Sequence, residues 1–555
     1  MACRGLMGSN VHIVLQARTN SSRLPGKALL PVAGIPSAVL AGLRAARSGF
    51  AVTVATSDSP SNDSLAAAFR AAGLAVFRGN EQDVLGRFAA ATSALPEDTI
   101  VVRLTGDNVF PDGDFIALLI RSLHAAGADI MGSQGASGLP YGLSAEAFRL
   151  SLLRQAAASA TAPFDREHVT PWLYRNGHSA DFALQAAERD LSCLRCTLDI
   201  PDDYRTLTHV FEGITDPVAV DWRELVTRLA RLPESPALCV PRNRRGGSRL
   251  VLGTAQLGAP YGSVRKTRVP SEAESVALVR NAIRHGITQI DTARAYTGSE
   301  ARLGAAFAEG WGSRVQVITK LSPLTDIPTD APETATEKAV DASIAVSCEK
   351  LGLSSLPVLL LHRAAHLTQW NGVAWRRLLQ LQAEGQIGQL GVSVQSVAEA
   401  QDALAVAEVR HIQLACNILD TRWADAGIAA LAASRPDVTV HARSALLQGV
   451  LLQTDAAAWP RISGLNIAAI SGWLAQMTEQ FGRRDVADLC YAWLRSQNWI
   501  DAVVVGMESE AQLADNVALF ARPELEKAAM MEIARTRPAL PASLFNPALW
   551  PVLAT

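Results

Sequence analysis

Apolar and polar positions fall in blocks along this chain, and the period of each block predicts what it becomes. Residues 11–15, with Val11, Ile13, Val14 and Leu15 around one histidine, form a short run dense in β-branched side chains, the pattern of a buried strand. Further short apolar runs at 51–55, 74–77 and 100–104 predict strands, and helical spacing at 37–48 and 65–72 fills the intervals. Strands alternating with helices in this way predict a parallel α/β sheet, which offers ligand sites at the carboxyl ends of its strands. From residue 249 the alternation restarts. Strands are predicted at 250–253, 288–291, 315–320, 358–362, 389–393, 412–416, 438–442 and 502–505. Helical spacing at 272–285, 334–351, 375–384 and 397–404 lies among them. About eight strands, most followed by a helix, predict a (β/α)8 barrel.

Between the two patterns lies a stretch rich in Pro, Gly and Arg. The expected organisation is a domain over 8–234, a linker over 235–248, a barrel over 249–535 and a tail over 536–555. Arg242, Arg244 and Arg245 read as solvated linker residues, and the apolar tail residues Leu544, Phe545, Leu549 and Trp550 as a packed strap. A length of 555 residues suits several domains, and 49% hydrophobic content suits folded cores rather than disorder. A net charge of −2 gives no general electrostatic reason to bind nucleic acid. No run of about 18 apolar residues occurs, so no membrane span is expected. The opening MACRGLMGSN lacks the apolar core of a secretory signal. Together with seven scattered cysteines it predicts a reducing, cytoplasmic location without a disulfide framework, and Cys193 and Cys196 read as core or strand thiols.

The candidate chemistry sits where the apolar runs end. The first strand opens into Gln16, Ala17, Arg18, Asn20, Ser21, Ser22, Arg23, Pro25, Gly26 and Lys27. Small residues let backbone N–H groups approach an anion, and three cations can neutralise it, so this loop suits a polyphosphate. It is not a Walker A loop, because no Gly-Lys-Ser/Thr follows the spacer. The run at 100–104 breaks into Thr105-Gly106-Asp107, whose carboxylate, just past a strand, can reach a magnesium ion on phosphate oxygens or serve as a turn residue or helix N-cap. A second carboxylate, Asp199, is expected at the end of another strand, in Leu198-Asp199-Ile200-Pro201. In the second half Asp291, Tyr296, Lys320 and His362 stand at or just beyond the ends of successive strands, where a barrel carries its functional groups. They form a quartet for carbonyl reduction. A phenol with a pKa near 10 is a poor acid unless a cation lies beside it. Lys320 can be that cation, Asp291 can hold the lysine, and His362 can orient the carbonyl oxygen.

The stretch from Gln16 to Pro36 resembles the opening signature of the CMP-sugar cytidylyltransferases of the acylneuraminate and spore-coat-polysaccharide type. The resemblance implies a Rossmann-like, glycosyltransferase-A-like sheet. It implies that Arg18, Arg23 and Lys27 hold the triphosphate of CTP, that Gln16 and Ala17 lie near the base, and that Asp107 and Asp199 bind Mg2+. Shorter matches cover Asp83 and Arg87, the Gly138–Glu146 turn with Ser144 in place of the usual aspartate, and Arg166-Glu167-His168-Val169-Thr170. Beside a functional role, Asp83 and Arg87 read as a helix start with an N-terminal acid and a surface arginine, and His168 as a helix-packing or capping residue.

The second half resembles the aldo-keto reductases, through residues 252–258, 291–300, 360–363, 391–393 and 505–516. This implies hydride transfer from NADPH or NADH to a carbonyl, with Tyr296 as general acid. The implied cofactor positions are Ser393, Gln413, Arg443, Gly506, Ser509, Gln512 and Asn516. Arg443 stands where a tyrosine often stacks on the nicotinamide, and Ser509, beside Glu508, stands where an arginine often meets the 2′-phosphate. The expected whole is a bifunctional enzyme that makes a CMP-activated acidic sugar of the nonulosonate type for a surface glycan, with a reductase acting on a sugar or related carbonyl. Its expected partners are CTP, sugar and nicotinamide, with a homodimer through the N-terminal domain and neither nucleic acid nor membrane. The alternatives are alditol-phosphate formation followed by CDP-alditol synthesis, or an active transferase with the barrel as a binding module.

Overall fold

The structure, a computed structural model, describes residues 10–134, 137–182, 190–260 and 268–550. Residues 8 and 9 of the expected first domain and 551–555 of the expected tail lie outside the described residues. The chain divides into two compact units, Met1–Cys239 and Val240–Thr555.

The first unit is built on six strands: β1 (Val11–Gln16), β2 (Ala51–Ser57), β3 (Ala75–Gly79), β4 (Ile100–Thr105), β5 (Ile130–Gly132) and β6 (Glu146–Arg149), in the spatial order β3-β2-β1-β4-β6-β5. β1 lies between β2 and β4 and is parallel to both. Its alternate side chains enter two cores, Ile13 and Leu15 on one face and Val14 on the other, which is why the run is apolar throughout. The sheet is mixed, which corrects the expectation of a wholly parallel one: β6 runs antiparallel to both β4 and β5. Among the described residues between β5 and β6 there is no helix, and an antiparallel neighbour needs no crossover.

Two further expectations change here. Residues 194–198 are extended but form no ladder; only single bridges join Arg195 to Tyr141 and Thr197 to Asn108, so Asp199 does not end a strand. Cys193 is not a free thiol, because it is disulfide-bonded to Cys239 across 46 residues, a pairing that no local spacing signals. Cys196 is a buried thiol.

The second unit closes eight parallel strands into a barrel in sequence order. They are β7 (Leu250–Gly253), β8 (Gln289–Asp291), β9 (Gln316–Lys320), β10 (Leu356–Leu361), β11 (Ile387–Val394), β12 (His411–Ala415), β13 (Thr439–Arg443) and β14 (Ala502–Gly506). Val251, Ile318, Val358, Leu360 and Ala502 pack as one apolar cluster on these strands. Arg244 and Arg245 are exposed, as expected, but each also has a fixed partner. Both pair with Asp501, at 3.0 and 3.1 Å, because a carboxylate left only 1% exposed needs a counter-charge. In the C-terminal segment Leu544 and Phe545 are buried and the Trp550 indole donates to the Leu544 carbonyl at 3.0 Å. Among the described residues no helix is long and apolar enough to cross a membrane.

Candidate active sites

The loop after β1 and the turn after β4 line one cavity of about 650 Å3, which includes Gln16, Ala17, Arg18, Arg23, Lys27 and Asp107. Local chemistry brings these elements together. The Gly106 amide donates to the Gln16 carbonyl at 2.8 Å, and a Cβ on Gly106 would stand 3.0 Å from those of Ala17 and Ala38, so any larger residue would have to push both neighbours back. Gly26, at φ +69°, turns the chain into the short helix Lys27–Leu29, and the Ser37 hydroxyl donates to the Lys27 carbonyl at 2.8 Å.

Lys27 Nζ donates to Asp107 Oδ2 and to Asp199 Oδ1, both at 2.8 Å, so two carboxylates 92 positions apart in sequence converge on one ammonium. Arg23 donates to the same Asp199 oxygen at 3.1 Å, and Arg195 approaches Asp199 Oδ2 at 3.5 Å. Burial alone would raise the Asp199 pKa, but Lys27, Arg23 and Arg195 outweigh it and hold the carboxyl below its usual range. Burial likewise opposes charge on Lys27, and Asp107 and Asp199 overcome it and raise its pKa. Asp199 is aimed by the helix that follows. Pro201 occupies the first helical position and keeps Ile200 extended, while Asp203 Oδ2 accepts from the Asp199 and Ile200 amides at 3.0 Å each.

A second row of contacts backs the cavity. Arg103 on β4 donates to Gln16 Oε1 at 3.2 Å and pairs with Glu146, to which Tyr174 also hydrogen-bonds. Arg103, Arg195 and Tyr174 are absent from the sequence expectations. For Arg103 the signal was a charge inside an apolar strand. Asp83 caps the helix Val84–Ala91 through the Gly86 amide and pairs with Arg166, and buried Arg87 donates to the Asn80 carbonyl. These are structural contacts. His168 is exposed at the end of the helix Pro163–His168, its ring 4.5 Å from that of Phe164, and is not among the cavity residues.

At the barrel mouth Lys320 Nζ donates to Asp291 Oδ1 and Oδ2 at 2.9 and 2.8 Å and to the Thr292 carbonyl at 2.9 Å. It lies 5.2 Å from the Tyr296 ring centroid. The Tyr296 and His362 rings meet edge to face at 6.2 Å. Burial, then Asp291, raise the Tyr296 pKa, and Arg443 opposes them. Burial, then Lys320, lower that of His362 to about 4. Near neutral pH both side chains are therefore uncharged, and each has one proton to share.

The loop carrying Tyr296 is tied from below. Buried Glu300 accepts from Arg294 at 2.9 Å and from the Thr319 and Ser347 hydroxyls at 2.8 Å. A Cβ on Gly258 would come within 1.5 Å of the Thr297 carbonyl, so glycine there is what lets the tyrosine loop sit down. Gln413 Nε2 donates to Asp291 Oδ2 at 2.6 Å, and its Oε1 is buried without a partner. Ser393 lies near the end of β11. Gly506 ends β14, Ser509 caps the helix Glu510–Phe520, and Gln512 and Asn516 follow on that helix, bonding to one another rather than to the quartet.

Comparison with known proteins finds a match for each unit. The Aldo/keto reductase family model matches residues 249–537, and the Cytidylyltransferase model matches residues 12–191. The chain is 31% identical over 238 residues to the spore coat polysaccharide biosynthesis protein SpsF of Bacillus subtilis, covering 41% of this chain and 97% of that protein. It is 36% identical over 117 residues to a 3-deoxy-manno-octulosonate cytidylyltransferase of Anaeromyxobacter, covering 20% of this chain and 46% of that enzyme. A solved aldo/keto reductase from Klebsiella pneumoniae, in complex with NADP and acetate, shares 21% identity at a TM-score of 0.41, covering 54% of this chain and 96% of that one. The chain thus belongs to the cytidylyltransferase family through its N-terminal unit and to the aldo/keto reductase family through its barrel.

Proposed function

We propose that the N-terminal unit transfers the cytidylyl group of CTP to an acidic sugar of the nonulosonate type. We propose that the barrel reduces a carbonyl of a sugar or related compound with NADPH or NADH, both steps serving surface-glycan synthesis. The observation that carries the transferase reading is the pair Asp107 and Asp199 sharing one ammonium beside a cation-lined cavity. Two carboxylates with room for waters and phosphate oxygens fit Mg2+, and Lys27 Nζ already marks a cation position between them. Bound magnesium would neutralise charge on the phosphates. Arg18, Arg23 and Lys27 meet the departing pyrophosphate as a sugar oxygen attacks the α-phosphorus in line. The protein positions the two reactants and supplies fixed positive charge. The octulosonate in one relative's name supports an acidic sugar, and the polysaccharide role of SpsF supports a glycan.

For the barrel, the carrying observation is Tyr296 and His362 facing each other above the Lys320–Asp291 pair. The unpartnered Gln413 Oε1 is an acceptor that fits an amide N–H, which supports a nicotinamide group beside Ser393, with Gly506, Ser509, Gln512 and Asn516 for the rest of the nucleotide. The cofactor supplies the hydride. Tyr296 gives its proton to the carbonyl oxygen, neutral His362 orients that oxygen, and Lys320 balances the resulting phenolate.

The test uses the full-length protein. Asp107→Asn should cut CTP- and magnesium-dependent pyrophosphate release by about a thousandfold, and Tyr296→Phe should cut NAD(P)H-dependent reduction by a similar factor. Near-normal turnover in either variant refutes that half of the reading.

A further inference from the structure

Arg443 starts at the carboxyl end of β13 and reaches past β12 to the end of β11. There its Nη2 donates to Gln395 Oε1 at 2.8 Å and to the Val394 carbonyl at 3.3 Å. A side chain that spans these strand ends lies across the barrel mouth. Gln395 is itself fixed: its amide donates to Glu399 at 2.6 Å, and its Nε2 donates to the Phe545 carbonyl of the C-terminal segment at 3.1 Å. The C-terminal segment therefore sets the residue that sets Arg443.

Both oxygens that Arg443 meets are neutral. Many arginines of this unit face a carboxylate, as in Arg294–Glu300, Arg377–Asp341, Arg422–Asp420 and Arg484–Asp515. Arg443 faces none among the described residues. Nor does exposed Arg363, which directly follows His362 and whose guanidinium has no hydrogen-bond or ion-pair partner among them. The field of Arg443 acts on both Tyr296 and His362, and that of Arg363 acts on His362. Two guanidiniums without a counter-ion thus flank the two groups that hold the carbonyl oxygen. A partly buried cation lacking an acid is stabilised when a ligand brings one, and a planar guanidinium matches carboxylate and phosphate oxygens in pairs.

We propose that the barrel selects carbonyl compounds that carry an anionic group, a carboxylate or a phosphate ester, close to the carbonyl, and that Arg443 holds this group with Arg363 beside it. The inference rests on the reductase reading and names its substrate class. The chemistry is otherwise unchanged. One hydride from the reduced nicotinamide adds to the carbonyl carbon, one proton from Tyr296 goes to the oxygen, and the anionic group keeps its charge throughout.

The test compares matched aldehydes with the full-length enzyme and each reduced nicotinamide: butanal with 4-oxobutanoate, and glyceraldehyde with glyceraldehyde 3-phosphate. The quantity read is the ratio of kcat/KM for the charged member to that for the neutral one. At low ionic strength this ratio should reach about tenfold or more, as a charge-assisted contact implies, and it should fall with added salt. Arg443→Gln should lower it by about tenfold, Arg443→Lys should recover part of it, and Arg363→Gln should lower it less. The pair that shows the larger ratio separates carboxylate from phosphate recognition. Equal ratios in wild type and Arg443→Gln overturn the proposal. So does an Arg443→Gln enzyme whose nucleotide KM rises while both aldehydes lose alike, since that marks a role in stacking on the cofactor. Wild-type enzyme that turns over both members of each pair equally sinks the charge assignment alone. Failure to oxidise either nucleotide with any aldehyde sinks the reductase reading and this inference with it.

Discussion

The two sites handle charge in opposite ways. In the N-terminal cavity the central pair is kept ionised: Asp199 is held below its usual pKa range and Lys27 above its own, because each answers the other across 2.8 Å. In the barrel mouth the key groups are kept neutral. Burial pushes Tyr296 up and His362 down to about 4, and a full ion pair, Lys320–Asp291, lies beneath them with Lys320 only 1% exposed. Transfer of a nucleotidyl group develops charge on phosphate oxygens and needs fixed counter-charges. Reduction of a carbonyl needs a proton held ready on a neutral donor. The difference between the sites thus lies in whether burial is answered by an opposite charge: Asp199 and Lys27 have one, and Tyr296 and His362 do not.

The sharpest way to break this comparison is to remove the lysine from each site. Lys320→Met leaves Asp291 buried without its cation and should cost about 3–5 kcal/mol of barrel stability. Lys27→Met leaves Arg23 and Arg195 still beside Asp199 and should cost less, about 2 kcal/mol. Urea unfolding of both variants measures this, and equal losses would show that the two pairs are alike.

Acid should act on one unit before the other. Burial lowers the pKa of His362, His366 and His441 to about 4 in the fold, from about 6.5 for a free histidine. As pH falls below about 6.5 the unfolded chain takes up protons that the folded barrel refuses, so barrel stability is full above that pH and shrinks toward pH 4. For His441, which is fully buried, the loss by pH 4 is on the order of 3 kcal/mol. Asp199, with its pKa depressed, keeps its contribution until the pH drops below about 3.8, the ordinary aspartate value. Hydrogen exchange at pH 7.5 and pH 5 should therefore show barrel peptides losing protection first, with the strand around His12 the one exception in the transferase unit. Uniform loss across both units would contradict this.

The smallest effect is salt. Raising ionic strength from 0.05 to 0.5 M should increase the KM for CTP several-fold, because Arg18 and Arg23 lie in an open cavity, and leave the KM for a neutral aldehyde nearly unchanged.

Much of this was readable before the fold was known. The run Val11–Gln16 and the small, basic loop after it announce a strand and an anion site because each needs only neighbours in sequence. The eight barrel strands were equally legible, and none of their observed ends differs from the expected ones by more than two residues. Strand ends also named the quartet, since a barrel puts the last residues of its strands at one mouth. The antiparallel β6 was not legible, because a short strand in a return loop lacks a period long enough to see. Arg195 and Gln395 were not legible either, since their importance lies in what they touch.

By itself the sequence determined the two architectures and the residue types at each strand end, because periodicity and turn chemistry act over a few residues. Only the tertiary structure decided that Lys27 meets Asp199 across 172 positions, that Cys193 bonds to Cys239, and that Arg443 turns across the mouth to Gln395. Those pairings depend on strand order and on loops closing over long stretches of chain. No local pattern encodes such a distance; packing the strands into one sheet and one closed barrel creates it.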